Sequence, residues 1–227
     1  MDKKKQKYLF FYFLIFALLI ILIMAYFFIN NTWNFRQRIK DMENYYKSLS
    51  ENSSSITPEI NTHDPVKGSL NATVTIFEYS DFSCPACQSI QNDLKQLEQE
   101  YQQKIKFVYK GLPLTSNPYN IQVLEAAYCA GEQNKFWEYK NLIYNSEKLT
   151  SRESLNNLAS QLSLNQDSFN TCLEESRYLP VLEKNRADAL SLQISSIPTI
   201  FVNEVKFEGF INFKTIRNII DNKLSNF

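Results

Sequence analysis

Apolar residues occur in one long run near the N-terminus and in shorter periodic segments after residue 73. Residues 8–29 contain no charged side chain and are dominated by Leu, Ile and Phe. A helix of that length rises about 1.5 Å per residue and crosses a hydrocarbon core of roughly 30 Å. The long run therefore predicts a transmembrane anchor at residues 8–29.

A cleaved secretory signal peptide is the alternative for this segment. Its apolar region would be shorter, about 7–15 residues, and an A-x-A-like cleavage site would follow, which this chain lacks. Lysines crowd residues 1–7, whereas residues 30–35 carry no charge. We therefore expect a single-pass anchor in the cell membrane, with residues 1–7 as a cytoplasmic tail and the rest in the periplasm or on the extracytoplasmic surface.

The chain after the anchor divides by composition into a polar segment and a domain. Residues 30–63 are rich in Ser, Asn and Thr, which predicts a tether. Residues 64–227 remain, and a length of roughly 160 residues is enough to bury one hydrophobic core. We expect one extracytoplasmic domain there.

The first part of this domain alternates between strand and helix patterns. Residues 74–79 and 105–109 have the composition of strands, and Ile90, Leu94 and Leu97 have helical spacing between them. This order predicts a βαβ unit.

A long helical block is predicted next, over about residues 114–193, with a capping box at residues 150–153. Two further strands, at residues 199–202 and 205–207, precede a helix that carries Phe213 and Ile216. The whole pattern indicates an α/β fold in which a βαβ and a ββα unit flank an inserted helical domain.

Candidate chemistry lies in the segment Cys84-Pro85-Ala86-Cys87, which follows the first predicted strand and opens the first predicted helix. The partial positive charge at a helix N-terminus stabilises a thiolate on Cys84, and Pro85 suits the first turn because its missing N–H has no partner there. Two cysteines at this spacing can also close a local disulfide. The segment therefore indicates a thiol–disulfide redox site.

Neither a metal nor an organic cofactor is indicated. A zinc site would need two more ligands at compact spacing, but Cys129 and Cys172 are solitary and His63 is the only histidine. The zero net charge gives no reason to expect a nucleic-acid partner, and four glycines argue against a glycine-rich phosphate cradle.

Residues 77–87, 126–137 and 196–203, together with the helical block, resemble the membrane-tethered, DsbA-like branch of the thioredoxin superfamily. The resemblance covers about residues 64–227 and implies a thioredoxin-like fold. It also implies that Cys84 forms mixed disulfides and that Cys87 is its more buried partner. It further implies that Pro198 is a cis proline facing the pair, whereas the residues alone favour an ordinary trans proline that starts a strand.

Glu78 is a candidate catalytic residue because strand alternation places it on the face of Val74 and Ile76, towards the core. A buried carboxylate can accept or relay a proton when Cys87 reacts, and the family has an acid six residues before its first cysteine. The alternative is a glutamate at a strand edge that reaches solvent.

Substrate contacts are expected from four residues near the motif: Pro85, Ala86, Phe82 and Ile197. The dipeptide between the cysteines lacks the histidine of the strongest oxidants in the family, which leaves the reduction potential open. Ile197 resembles the valine common before the cis proline of oxidants and slightly favours oxidation.

Cys129 and Cys172 remain after the first pair is assigned, and both fall in the predicted helical block. In an oxidising compartment, an even number of remaining cysteines favours a structural disulfide between them. Two buried free thiols are the alternative.

The expected function is a membrane-anchored thiol–disulfide oxidoreductase that introduces disulfide bonds into unfolded or newly exported cysteine-containing proteins. By resemblance, a membrane quinone-linked thiol oxidase is its electron acceptor. An extracytoplasmic thiol reductase or disulfide isomerase is the first alternative, and a non-enzymatic chaperone is the second.

Overall fold

The computed structural model describes residues 16, 18–30, 32, 33, 37, 57–146, 151–209 and 211–225. The chain divides into two compact units, residues 1–52 and 53–227.

In the first unit, residues 18–30 are helical, and their large apolar side chains are exposed. Among the described residues, no helix is both long enough and apolar enough to cross a bilayer. The span predicted at residues 8–29 lies partly outside the described residues, which omit 8–15 and 17, so the anchor stays a prediction. The predicted tail at residues 1–7 and most of the predicted tether up to residue 56 also lie outside them.

The second unit begins before the domain start predicted at residue 64, since the end of the predicted tether packs against it. The Asn61 side chain donates a hydrogen bond to Asp188 over 3.3 Å. Asp64 forms an ion pair of 2.5 Å with Lys110, and both side chains are fully buried. Polar composition suggested a solvated linker here, but these polar groups have partners far away in sequence.

A five-stranded mixed sheet is the centre of the described part of this unit. Its strands are β1 Val66–Gly68, β2 Val74–Ser80, β3 Ile105–Gly111, β4 Thr199–Val202 and β5 Val205–Glu208. The order across the sheet is β1-β3-β2-β4-β5, with β2 and β3 parallel and every other pair antiparallel. The predicted strands match β2 to β5 to within two residues at each end. Strand β1 was not predicted, because three residues are too few to show an alternation of apolar and polar positions.

The described part of this unit contains eight α-helices. They are α1 Pro85–Ser89, α2 Gln91–Tyr101, α3 Pro118–Gly131, α4 Phe136–Asn145, α5 Arg152–Gln161, α6 Gln166–Glu174, α7 Leu179–Ser191 and α8 Phe213–Ser225. Helices α3 to α7 form the predicted insertion, between β3 and β4. The helix predicted after the cysteine motif is two helices, which meet at Ile90.

The predicted capping box of the insertion is shifted by one residue. The N-cap of α5 is Ser151, whose hydroxyl accepts from the Ser154 N–H, and the Ser154 side chain accepts from the Ser151 N–H in return. The sequence pattern favoured Thr150 with Glu153 because glutamate is the usual third-position partner. A serine at that position makes the same reciprocal bonds.

The inserted helices enclose their own apolar core, which includes Leu124, Phe136, Tyr139 and Phe169. A disulfide joins Cys129 on α3 to Cys172 on α6, with their Cα atoms 5.9 Å apart. A second apolar cluster covers one face of the sheet; its members are Phe77, Tyr79, Val108, Leu192 and Phe201. The insertion thus has an apolar core of its own, and Tyr109 of β3 joins this core to the sheet.

Candidate active site

The cysteine motif lies where β2 ends and α1 begins. Cys84 is the N-cap of α1 in an extended conformation, and Pro85 occupies the first turn. The loop before it is held by the fully buried Asp81, whose Oδ1 accepts from the backbone N–H of Ser83 at 2.7 Å and whose Oδ2 accepts from that of Leu114 at 2.7 Å. The carbonyl of Asp81 also accepts from the Cys84 N–H at 3.1 Å. These bonds fix the first cysteine at the start of the helix.

The two cysteines are unbonded thiols in this structure, and their environments differ. The Cys87 N–H donates to the Cys84 sulfur over 3.2 Å, which favours negative charge on Cys84. Cys87 is fully buried and Cys84 is 5% exposed. Cys84 is thus almost fully buried, with a neighbouring loop over its sulfur.

That covering loop contains a cis peptide bond between Ile197 and Pro198. The Ile197 carbonyl lies 3.9 Å from the Cys84 sulfur and accepts a weak S–H hydrogen bond from it. The side chain of Glu208 on β5 accepts from the Ser195 N–H at 2.8 Å and so holds the start of the loop. The Ile197–Pro198 bond is thus cis, as the resemblance implied, and its loop lies against Cys84.

Burial raises the pKa of the Cys87 thiol far above its ordinary value, and the contact with Cys84 raises it further. The backbone of Asp81 and the side chain of Ser80 shift this pKa in the opposite direction. Burial is the larger effect. Cys87 is therefore a neutral thiol at neutral pH and carries charge only transiently.

Glu78 is buried in the middle of β2 but is not alone. Its Oε2 forms an ion pair of 2.6 Å with Lys140 of α4, and its Oε1 accepts from the Gln91 side chain at 2.8 Å. The same Gln91 amide donates to the Cys87 carbonyl at 2.8 Å. The carboxylate thus connects to the second cysteine through Gln91.

The residues predicted to contact substrate have unequal exposure. Pro85 and Ala86 are exposed beside the cysteines, and Ile197 is half-buried. The Phe82 ring is also half-buried, stacked on Tyr109 with centroids 5.6 Å apart. Much of Phe82 therefore packs against Tyr109 of the sheet and Tyr144 of α4 rather than facing a client.

Sequence reasoning missed four polar residues of this site: Ser80, Asp81, Lys140 and Tyr144. Ser80 and Asp81 lie in residues 77–87, one of the segments that carry the family resemblance, at the carboxyl end of β2. That position could have marked them as neighbours of the cysteines. Lys140 and Tyr144 lie more than fifty residues further along the chain, in a helix with an ordinary amphipathic pattern. Only the packing of α4 beside β2 reveals them.

Comparisons with known proteins find related sequences and solved structures of the same fold. A Na(+)/H(+) antiporter, NhaA 3, from Salinispora tropica is 33% identical over 155 residues, which are 67% of this chain and 24% of the antiporter. Disulfide bond formation protein D from Bacillus subtilis is 22% identical over 170 residues, covering 70% of this chain and 77% of that protein. The chain thus spans about a quarter of the antiporter's length, whereas it spans most of the Bacillus protein.

The thiol-disulfide exchange protein alpha-DsbA2 from Wolbachia pipientis has the same fold, with a TM-score of 0.66 and 21% identity. That match covers 80% of this chain and 97% of the Wolbachia chain. The sequence profile of the thioredoxin family matches residues 61–222, which include every strand that the structure describes, both cysteine pairs and the cis proline. The chain therefore belongs to the thioredoxin family.

Proposed function

We propose that this protein is a thiol–disulfide oxidoreductase that introduces disulfide bonds into exported proteins, with Cys84 and Cys87 as its redox pair. The observation that carries the proposal is the position of Cys84, at the N-cap of α1, beside the Cys87 N–H and opposite cis-Pro198. The DsbA-type solved neighbour and the Bacillus relative named for disulfide bond formation support it.

In the proposed reaction a client thiolate attacks the Cys84 sulfur of the oxidised pair. A client–Cys84 disulfide forms while the Cys84–Cys87 bond breaks, and its electron pair leaves on the Cys87 sulfur. A second client thiolate then attacks the client sulfur and releases the Cys84 thiolate. The client loses two electrons, and the Cys84–Cys87 pair gains them.

Pro85, Ala86 and Ile197 are proposed to contact the client, since the first two are exposed directly after Cys84 and the carbonyl of the third lies 3.9 Å from the Cys84 sulfur. Phe82 is proposed to shape this surface from its half-buried position. The anchor at residues 8–29 would hold the domain at the extracytoplasmic face of the membrane, where disulfides persist. A membrane quinone-linked thiol oxidase is the proposed acceptor of the two electrons.

The reduction potential of the Cys84–Cys87 pair tests the direction of electron flow. We expect the 227-residue chain, equilibrated with glutathione buffers, to give a value between about −120 and −180 mV, the range of strong oxidants and isomerases. A value near about −270 mV, like that of thioredoxin, would instead identify a thiol reductase. The two potentials correspond to equilibrium constants for thiol–disulfide exchange that differ by several powers of ten.

Glu78 is proposed to assist proton transfer to and from Cys87. The Gln91 side chain, which donates to both the Glu78 carboxylate and the Cys87 carbonyl, holds the two residues together. Replacing both members of the ion pair, in Glu78→Gln with Lys140→Gln, removes the carboxylate and leaves no buried charge unpaired. We expect this variant to react at least about tenfold more slowly with a dithiol peptide, since general acid–base groups contribute at that scale or above. Alkylation of the free thiols in samples taken at successive times stops the reaction, and the fraction of peptide that is oxidised gives the rate.

Lys140→Gln alone is the matched control, because it breaks the ion pair but keeps the Glu78 carboxylate. It is expected to lose stability yet to exchange faster than the double variant. A double variant that exchanges at the wild-type rate would show that Glu78 has no part in proton transfer.

A further inference from the structure

The end of β5 and the residue after it hold the loop of residues 195–198 from both ends. At the start of the loop, the Glu208 carboxylate accepts from the Ser195 N–H at 2.8 Å and from the Ser195 hydroxyl at 3.3 Å. At its end, the Gly209 N–H donates to the Pro198 carbonyl over 3.0 Å. The exchange reaction described above gives no role to these bonds.

The Glu208 carboxylate is itself held by a neighbouring lysine. Lys206 lies two residues earlier on the same strand, and its ammonium nitrogen is 3.6 Å from the Glu208 Oε1. The same ammonium group donates to the carbonyls of Leu192 and Gln193 at 3.2 and 2.9 Å, just after the last turn of α7. A cation is favourable there because the last carbonyls of a helix carry partial negative charge. The carboxylate is thus tied to α7 as well as to the loop.

The loop covers the sulfur that reacts with the client. The Ile197 carbonyl lies 3.9 Å from the Cys84 sulfur, and Cys84 is only 5% exposed. A single residue, Ser196, separates Ile197 from Ser195, so a displacement of Ser195 moves the Ile197 carbonyl as well. The cover over Cys84 therefore depends on the hydrogen bonds between Ser195 and Glu208.

We propose that Glu208 is a positioning residue for disulfide exchange. It fixes the loop of residues 195–198, so that the loop covers Cys84 against small reagents and presents Ile197 to the client. The proposal rests on the proposed exchange function, in which Ile197 contacts the client. A loop that is already held does not have to be ordered when the client binds, so less of the binding free energy is lost. Glu208 acts through Ser195 and does not itself touch the reacting sulfurs.

Alkylation of Cys84 measures how well the loop covers it. The full 227-residue chain is prepared with its active-site pair reduced and its other disulfide intact, and mass spectrometry follows the reaction of Cys84 with iodoacetamide. We expect Glu208→Ala to react about fivefold faster, since it loses hydrogen bonds to a charged acceptor that is partly exposed. Glu208→Gln should stay within about twofold of the wild type, because its amide oxygen still accepts from the Ser195 N–H.

Peptide oxidation measures the effect on the client. With glutathione disulfide as the oxidant and a dithiol peptide as the substrate, we expect the KM of Glu208→Ala for the peptide to rise about threefold. Its kcat should stay within about twofold of the wild type, because the two reacting cysteines are unchanged. Weaker docking of the client thus changes KM, whereas damage to the cysteine pair would change kcat.

Glu204→Ala is the matched control. Glu204 lies in the turn before β5, and its side chain is 27% exposed compared with 24% for Glu208. Its carboxylate also pairs with a lysine, Lys223 of α8 at 2.5 Å, but does not contact the loop of residues 195–198 through that pair. This variant should keep the wild-type alkylation rate and KM. A general loosening of the β4–β5 hairpin would speed alkylation in the control as well.

An alkylation rate or a peptide KM of Glu208→Ala equal to that of the wild type would overturn the proposal. Equal acceleration in Glu204→Ala would do the same, as would a Glu208→Gln variant that behaves like Glu208→Ala. Since Glu208 is partly exposed, its replacement is expected to leave the domain folded. Failure of the proposed function looks different: the wild type itself would not oxidise the peptide, while the alkylation rates would still show whether Glu208 holds the loop over Cys84.

Discussion

Cys84→Ser is expected to abolish disulfide exchange, with the rate of peptide oxidation falling to that of the uncatalysed mixture. A serine hydroxyl cannot form the mixed disulfide on which every later step depends. Cys84 is also the sulfur that receives the Cys87 N–H and faces the cis-Pro198 loop, so no other thiol of the site can take its place. Oxidation of a dithiol peptide, followed by mass spectrometry, measures the loss.

Cys87→Ser is expected to behave differently from Cys84→Ser. Its Cys84 thiolate can still attack a client disulfide, but no Cys87 thiol remains to attack the resulting mixed disulfide and release the client. Mixed disulfides with client proteins should therefore accumulate and be visible on non-reducing gels. The matched control is Cys129→Ala with Cys172→Ala, which removes the other cysteine pair and should leave exchange intact at a temperature where the variant is folded. Full activity in Cys84→Ser would show that the site is assigned to the wrong residues.

Removal of the Cys129–Cys172 disulfide is expected to lower the free energy of unfolding by about 4 kcal/mol in the chain-entropy account. The bond closes a loop with a sequence separation of 43 residues, and it ties α3 to α6 within the core of the insertion. Both cysteines are almost fully buried, so replacing them with alanine changes little of the surface exposed to solvent. Urea unfolding of Cys129→Ala with Cys172→Ala under oxidising conditions measures the change.

Reducing conditions supply the control for this second prediction. With excess dithiothreitol the free energy of unfolding of the wild type should fall by a similar amount. The wild type and the alanine variant should then differ in this free energy only by the small contribution of the two thiols. A loss under about 1 kcal/mol in oxidising buffer would mean that the insertion is held by its apolar core and not by the bond.

The fold was predictable to a large extent because its signals are local. The strands that became β2 to β5 are apolar runs with turn residues at their ends, and the helices between them have a clear period. The errors are also local in origin: β1 has three residues, and the first helix breaks at Ile90 without a proline or glycine to mark it. The end of the predicted tether joins the domain through Asn61 and Asp64, whose partners are distant in sequence.

The site was predictable in its reactive atoms but not in their surroundings. Cys84, Cys87 and Pro198 stand in short motifs that the family resemblance identifies. For Glu78, strand alternation indicated an inward carboxylate, but the sequence held no sign that Lys140 would pair with it. The pairing arises only because α4 packs beside β2.

The sequence alone determined the order of strands and helices, the cysteine motif at a helix start and the inserted block, since each depends on residues that are neighbours along the chain. Tertiary structure decided which groups control the cysteines. It buried Cys87, joined Ser195 to Glu208, and placed the Ile197 carbonyl 3.9 Å from the Cys84 sulfur. Burial and contacts between distant segments exist only after the chain has folded, and they determine the charge that each sulfur can carry.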